Sequence, residues 1–102
     1  MIQVFDWHLY VLKLENNKYY VGSSTDIDRR FGQHKAGKLS SKWTRKHKPL
    51  EIIETKYIGN MDTKACNIYE SALTLDYMKK YGKENVRGGC YLTDNNIARL
   101  VI

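Results

Sequence analysis

The chemistry of this sequence rests on polar side chains that stand where apolar ones are expected. Ile27, Arg30, Phe31 and His34 recur at the spacing of one helix face. Half of that stripe is therefore Arg and His rather than Leu. Either the two sit at the edge of the stripe and snorkel outward, or they line a cleft. Further along, Glu70 shares a helical face with Cys66, Leu73 and Tyr77. A carboxylate inside an apolar stripe must be held by a cation or by hydrogen bonds. Glu70 is thus either half of a structural salt bridge, to Arg30 or a lysine, or a metal ligand. Tyr10 and Tyr20 fall in two short β-prone segments, where tyrosines mostly serve packing.

Charge adds a partner class. Lys plus Arg is 17 and Asp plus Glu is 11, a net charge of +6. Residues 29–48 carry eight bases (Arg29, Arg30, Lys35, Lys38, Lys42, Arg45, Lys46 and Lys48) and no acid. The remaining 82 residues carry nine bases against eleven acids. A positive excess confined to one fifth of the chain is the footprint of a polyanion binder, or else a solvated basic face.

These residues need elements to position them. His8 to Leu14 reads as a strand, Glu15-Asn16-Asn17-Lys18 as a turn, and Tyr19 to Gly22 as a second strand, giving a hairpin. Thr25 as N-cap, with Asp28 three residues on, predicts a helix from about Asp26 to Lys35 that ends near Gly37. Pro49 breaks the chain, Leu50 to Tyr57 reads as a third strand, and Gly59-Asn60 as a turn. Asp62 or Thr63 caps a long helix to about Tyr81, closed by Gly82, and a short last helix is expected near Asn95 to Leu100. The order β-β-α-β-α predicts an α+β fold in a single domain spanning 1–102.

Composition bounds the rest. Apolar residues are 42% of the chain, enough for one core without staples. Cys66 and Cys90 form no metal-binding pair, and two lone thiols fit a reducing compartment. No apolar run is long enough to span a membrane, and the N-terminus lacks the pattern of a secretory signal. An intracellular setting, cytoplasmic or nuclear, is expected.

In order and spacing these residues resemble the GIY-YIG nuclease domain, in its small stand-alone form. That family opens with Gly-Ile-Tyr on one strand and Tyr-Ile-Gly on the next. Here the triplets are His8-Leu9-Tyr10 and Tyr20-Val21-Gly22. The family's Arg lies ten residues after its second tyrosine, at Arg30, and a His follows on the same helix, at His34. Its metal-binding Glu is matched by Glu70, and the Asn that closes the site in some branches by Asn85. The segments SKWTRKHKPLE and YGKENVRGG also resemble small members of the family, so the likeness covers about residues 8 to 90. One departure is His8, which stands where the family has glycine.

The resemblance implies a three-stranded antiparallel sheet flanked by helices. It also implies an endonuclease that hydrolyses DNA phosphodiesters with Mg²⁺ or Mn²⁺ on Glu70. Arg30 would fork onto the scissile phosphate. Tyr10 would be the general base, its phenolate favoured by Arg30, the metal and His34, with Tyr20 positioning the water or the metal shell. His34 would polarise a tyrosine or contact phosphate, and Asn85 would fix a phosphate or orient Glu70. Lys42, Arg45, Lys46 and Lys48, with Trp43, would hold the DNA backbone outside the reaction centre. For Trp43, anchoring its own loop is the stronger role. A non-catalytic nucleic-acid-binding module is the competing class. A nuclease subunit needing a protein partner or a homodimer for targeting is a third. Geometry sets one condition: Tyr10 and Tyr20 share a face only if the hairpin loop is odd or bulged. That predicts Asn16 or Asn17 at positive φ.

Overall fold

A computed structural model describes residues 2–38 and 40–101. Its centre is the hairpin. Strand β1 (Phe5–Leu14) and strand β2 (Lys18–Ser24) pair antiparallel, with Leu14 opposite Lys18. The loop between them is a three-residue 3-10 turn, Glu15–Asn17, with Asn16 at φ 64° and Asn17 at φ 57°. This odd loop sets Tyr10 opposite Gly22 and Leu12 opposite Tyr20, so alternation puts both tyrosines on one face. The condition set by the sequence is met.

Helix α1 (Ile27–Ala36) follows, capped by Asp26, whose side chain accepts from the Arg29 amide, and closed at Gly37. The cap is Asp26 rather than Thr25, because the Ser24 hydroxyl turns the chain one residue later by bonding both the amide and the carbonyl of Asp26. The basic segment forms a short helix, α2 (Lys42–Lys46), capped by Ser41. Strand β3 (Pro49–Met61) is longer than the predicted Leu50 to Tyr57. Gly59-Asn60 does not turn the chain. The register against β1 shifts between Trp7 and His8, and this bulge absorbs the glycine within the strand. Helix α3 (Thr63–Tyr81) starts at an Asp62 cap and ends at Gly82, as its sequence predicts. Helix α4 (Asp94–Ala98) is the last element among the described residues.

The fold is α+β with helices flanking the sheet, but the sheet has four strands in the order β3-β1-β2-β4. The addition is β4 (Val86–Gly88), parallel to β2, with Tyr20 registered against Arg87. The three residues Val86-Arg87-Gly88 carry no alternation to read, which is why the sequence pattern shows only three strands.

The sheet separates two apolar layers. Val11, Tyr19, Val21 and Val86 pack against α3 and α4 through Met78 and Ile97. Tyr10, Leu12, Leu14 and Tyr20 pack on the other face against Ile27 and Phe31 of α1 and Trp43 of α2. The basic segment therefore covers the tyrosine face.

Candidate active site

Tyr10 and His34 are both enclosed, each 1% exposed. The Tyr10 hydroxyl lies 2.8 Å from His34 Nε2, and His34 Nδ1 lies 3.0 Å from Thr44 Oγ1. Thr44 Oγ1 donates in turn to the Ser41 carbonyl at 3.1 Å. One arrangement satisfies all three groups: Tyr10 O–H donates to Nε2, Nδ1–H donates to Thr44, and the imidazole is neutral. Burial and the charge of Arg30 push His34 down to about 4, which favours the same form. His34 is thus buried beneath α2 rather than snorkelling out, and α2 is the element that fixes its tautomer.

Tyr20 completes the aromatic group, with its ring 6.4 Å from that of Tyr10 and 5.0 Å from that of His34. Gly22 makes room for Tyr10: a methyl group built there would overlap the phenol directly across the hairpin. The glycine of the second triplet is therefore a space requirement imposed by the tyrosine of the first.

The phenols are less acidic than neighbouring charges alone would make them. Burial raises both, Tyr10 well above its ordinary value and Tyr20 to about 12. Hydrogen bonding and charge from Arg30 pull the other way but do not prevail. His34 adds no positive charge, because burial keeps it neutral. The phenolate expected from the sequence is thus not the resting form. Proton release from a tyrosine here requires an acceptor, and Nε2 of His34 is in place for Tyr10.

Glu70 reaches the site from the opposite layer. Its Oε1 accepts from the Ser23 hydroxyl at 2.7 Å and its Oε2 from the Gly89 amide at 2.7 Å. Alternation points Ser23 toward α3, away from Tyr20, so the carboxylate lies across the edge of the sheet from the phenols. Its charge still raises both tyrosines, and the Arg30 charge reaches it. Burial lifts its own pKa above the ordinary carboxylate value, against the two hydrogen bonds and the Arg30 charge. Gly89 approaches closely because it has no side chain and holds φ 53°; a Cβ there would collide with Ser71 of α3.

With one hydrogen bond accepted on each oxygen, the Glu70 carboxylate keeps lone pairs with which to ligate an ion. Among the described residues no group of three or more His, Cys, Asp or Glu could enclose a metal. This donor set fits a hydrated hard cation on one carboxylate, and does not fit a protein-caged zinc site.

Asn85 departs from its expected role. Its Oδ1 accepts from Lys18 at 2.6 Å and its Nδ2 donates to the Tyr81 carbonyl at 2.8 Å. Tyr81 ends α3, about 16 Å along the helix axis from Glu70, so Asn85 secures the helix end and neither orients Glu70 nor meets a phosphate beside it. Trp43 is an anchor: its indole N–H donates to the Tyr19 carbonyl at 2.9 Å and its ring packs on His47 and under Arg87. Lys42, Arg45, Lys46 and Lys48 are exposed around it. Sequence reasoning passes over Ser23, Thr44 and Gly89. Only the Ser41/Thr44 capping pair leaves a trace in the sequence, since Gly89 acts through its backbone.

An α+β sheet that carries two phenols on one hairpin and faces them with an arginine and a histidine from a single helix defines a class of small nuclease-type domains. The chain belongs to the GIY-YIG family, whose catalytic-domain model matches residues 6–85. It is 32% identical over 98 residues to a UPF0213 protein of Klebsiella pneumoniae, covering 92% of this chain and 84% of that one. It is 47% identical over 47 residues to a UPF0213 protein of Cupriavidus pinatubonensis, covering 46% of this chain and 51% of that one. Against several curated relatives the match spans about half of their length, 50% for a UPF0213 protein of Cupriavidus necator. No solved structure matches. No helix among the described residues is long and apolar enough to cross a membrane.

Proposed function

We propose that this chain is a metal-dependent DNA endonuclease that hydrolyses phosphodiester bonds. The observation that carries the proposal is the Tyr10–His34–Thr44 chain: a buried phenol donating to a neutral imidazole whose other nitrogen is held by a threonine. Packing alone does not require this arrangement, and a base that must deprotonate water does.

A phosphodiester is an anion, so its hydrolysis depends on charge neutralisation and positioning. Arg30, half-buried at the mouth of the tyrosine layer, forks onto the scissile phosphate. Tyr10 takes a proton from the attacking water while passing its own to Nε2 of His34. Phosphate charge beside the imidazole raises its basicity for that step. Tyr20 orients the water. Glu70 is the residue that would hold Mg²⁺ or Mn²⁺, which when bound neutralises charge on the phosphate and the leaving oxygen. Lys42, Arg45, Lys46 and Lys48 hold the DNA backbone around the cleft.

The test is incubation of the chain with labelled linear, nicked and branched DNA in Mg²⁺, Mn²⁺ or chelator. Cleavage that needs the cation is expected. Salt-sensitive DNA binding with no cleavage of any substrate would replace the proposal with a non-catalytic binding module.

A further inference from the structure

Beside the tyrosine layer lies a concavity of about 390 Å³, open between α2, β4 and α4. It is lined by Lys42 and Lys46, one turn apart on α2, by Trp43 between them, by Arg87 of β4, and by Leu92, Thr93 and Asp94 at the start of α4. Its volume lies at the low end for organic ligands and exceeds what a lone phosphate needs. Its walls mix two chemistries, three cations against one acid, with an indole and an exposed leucine among them. That mixture matches a nucleotide, with its anionic phosphate and flat apolar base.

Arg87 gives the cavity its character. The residue is 8% exposed, and its guanidinium stacks 4.3 Å from the centre of the Trp43 ring. Nη1 donates to the Lys83 and Val86 carbonyls, which fixes the fork in place. Its carboxylate neighbour, Asp94 at 3.4 Å, has a side chain 99% exposed at the rim. A buried cation whose counter-ion is solvated gains more from an anion entering the pocket than a surface lysine does.

The pocket also adjoins the candidate site. Arg87 is the register partner of Tyr20 across β2 and β4, and α2 carries both Lys42 and Lys46 and the Thr44 that holds His34. We propose that this pocket holds one unpaired nucleotide of the DNA strand next to the scissile phosphate, its phosphate on Arg87, Lys42 and Lys46 and its base between Leu92 and the Trp43 edge. The substrate class that follows is DNA with a single-stranded nucleotide at the cut, such as a flap or branch, and this part rests on the nuclease reading. A fully stacked, paired base cannot enter the cavity without leaving the helix.

The full chain is titrated with inorganic phosphate, thymidine 5′-monophosphate and a 5′-phosphorylated thymidine trinucleotide, with the Trp43 indole N–H followed by NMR. The mononucleotide is expected to bind about tenfold more tightly than phosphate, and the trinucleotide more tightly still. Leu92→Ser should reduce nucleotide binding to the level of phosphate. Lys42→Gln with Lys46→Gln should weaken all three ligands. Both sets change exposed side chains and leave Arg87 and its carbonyl partners intact. A mononucleotide that binds no better than phosphate, or better than the trinucleotide, overturns the proposal. In the cleavage assay Leu92→Ser should lose flap or branch cutting relative to continuous duplex, and equal loss on both overturns the assigned substrate class. Nucleotide binding by a chain that cuts no DNA removes the nuclease reading alone. Cutting by a chain that binds no nucleotide removes the pocket alone.

Discussion

Replacing Glu70 separates an ion-holding carboxylate from a structural one. In the folded chain it accepts from the Ser23 hydroxyl and the Gly89 amide, each at 2.7 Å. Glu70→Ala strands the Gly89 N–H, which costs about 1–3 kcal/mol when such a donor is left unpaired. The Ser23 hydroxyl rotates to another acceptor, and loss of a desolvated carboxylate returns part of that cost. The net loss is about 1–2 kcal/mol, a fall in Tm of roughly 4–10 °C for a domain of this size. Glu70→Gln keeps an acceptor for Gly89 and offers a donor to Ser23, so its stability stays within about 1 kcal/mol of wild type. Activity should not follow stability. Without a carboxylate an ion held there would be lost, and transition-state stabilisation of several kcal/mol corresponds to a rate loss of about 10³-fold. DNA binding should hold or tighten with one negative charge fewer near phosphate. A thermal melt, a cleavage assay in Mg²⁺ and a binding titration on both variants make the measurement. Glu70→Gln retaining more than about a tenth of the wild-type rate would refute the ion-holding role. So would a large fall in stability in both variants with a proportionate fall in rate, the mark of a broken buried ion pair.

Three other perturbations follow from the site. His34 titrates near 4 when folded, below its ordinary 6.5, so the unfolded chain takes up its proton first as pH falls. Stability should drop by about 2–3 kcal/mol between pH 7 and pH 4, and chemical denaturation of His34→Gln should show that slope removed. Gly22→Ala drives a methyl into the buried Tyr10 ring and should cost about 1–3 kcal/mol, with a loss of cleavage larger than the stability loss explains; a variant with wild-type melting and cutting would deny the space requirement. Lys42, Lys46 and Lys48 changed together to Ala should weaken DNA binding across all sequences and flatten its salt dependence, by about 0.9 in the logarithmic slope for each phosphate no longer neutralised; an unchanged slope would make the patch a solvated face.

The legible part of the sequence is local. Asp62 before an apolar-periodic run, and Gly82 after it, mark α3 because caps act within a turn of the residues that display them. Asn16-Asn17 marks the hairpin because few residues accept positive φ, and the register, with both tyrosines on one face, then follows from alternation. The illegible part depends on distant packing. Strand β4 is too short for a pattern and is held by a parallel neighbour that only the fold supplies. Gly59 carries a turn signal that a bulge in a long strand overrides. The spacing from Glu70 to Asn85 crosses a helix end, and fifteen residues of chain fix no direction beyond it, so Asn85 lands on Lys18. The acidity of the phenols escapes the sequence for the same reason. Neighbouring charges are visible as residue types, whereas desolvation is a property of the finished core.

The division of the sheet explains how so small a domain carries opposed charges at one place. Arg30 lies on the tyrosine side and Glu70 on the α3 side, with β2 between them. The phenols feel both: Arg30 favours phenolate, while Glu70, the largest influence on Tyr20 after burial, disfavours it. An uncompensated Glu70 therefore adds to the rise that burial imposes on Tyr20, and a cation at Glu70 would cancel that added part. The coupling can be measured without any cation, because Glu70→Gln removes the same negative charge. Tyr20, pushed up to about 12 in the wild type, should ionise at lower pH in the variant, while Tyr57, whose shift comes first from its hydrogen bond to Asp6, should not move. NMR of tyrosines labelled at the phenolic carbon resolves the two midpoints. A Tyr20 midpoint that stays fixed on loss of the Glu70 charge would mean that the two layers do not communicate across β2, and Glu70 would then belong to the α3 core alone.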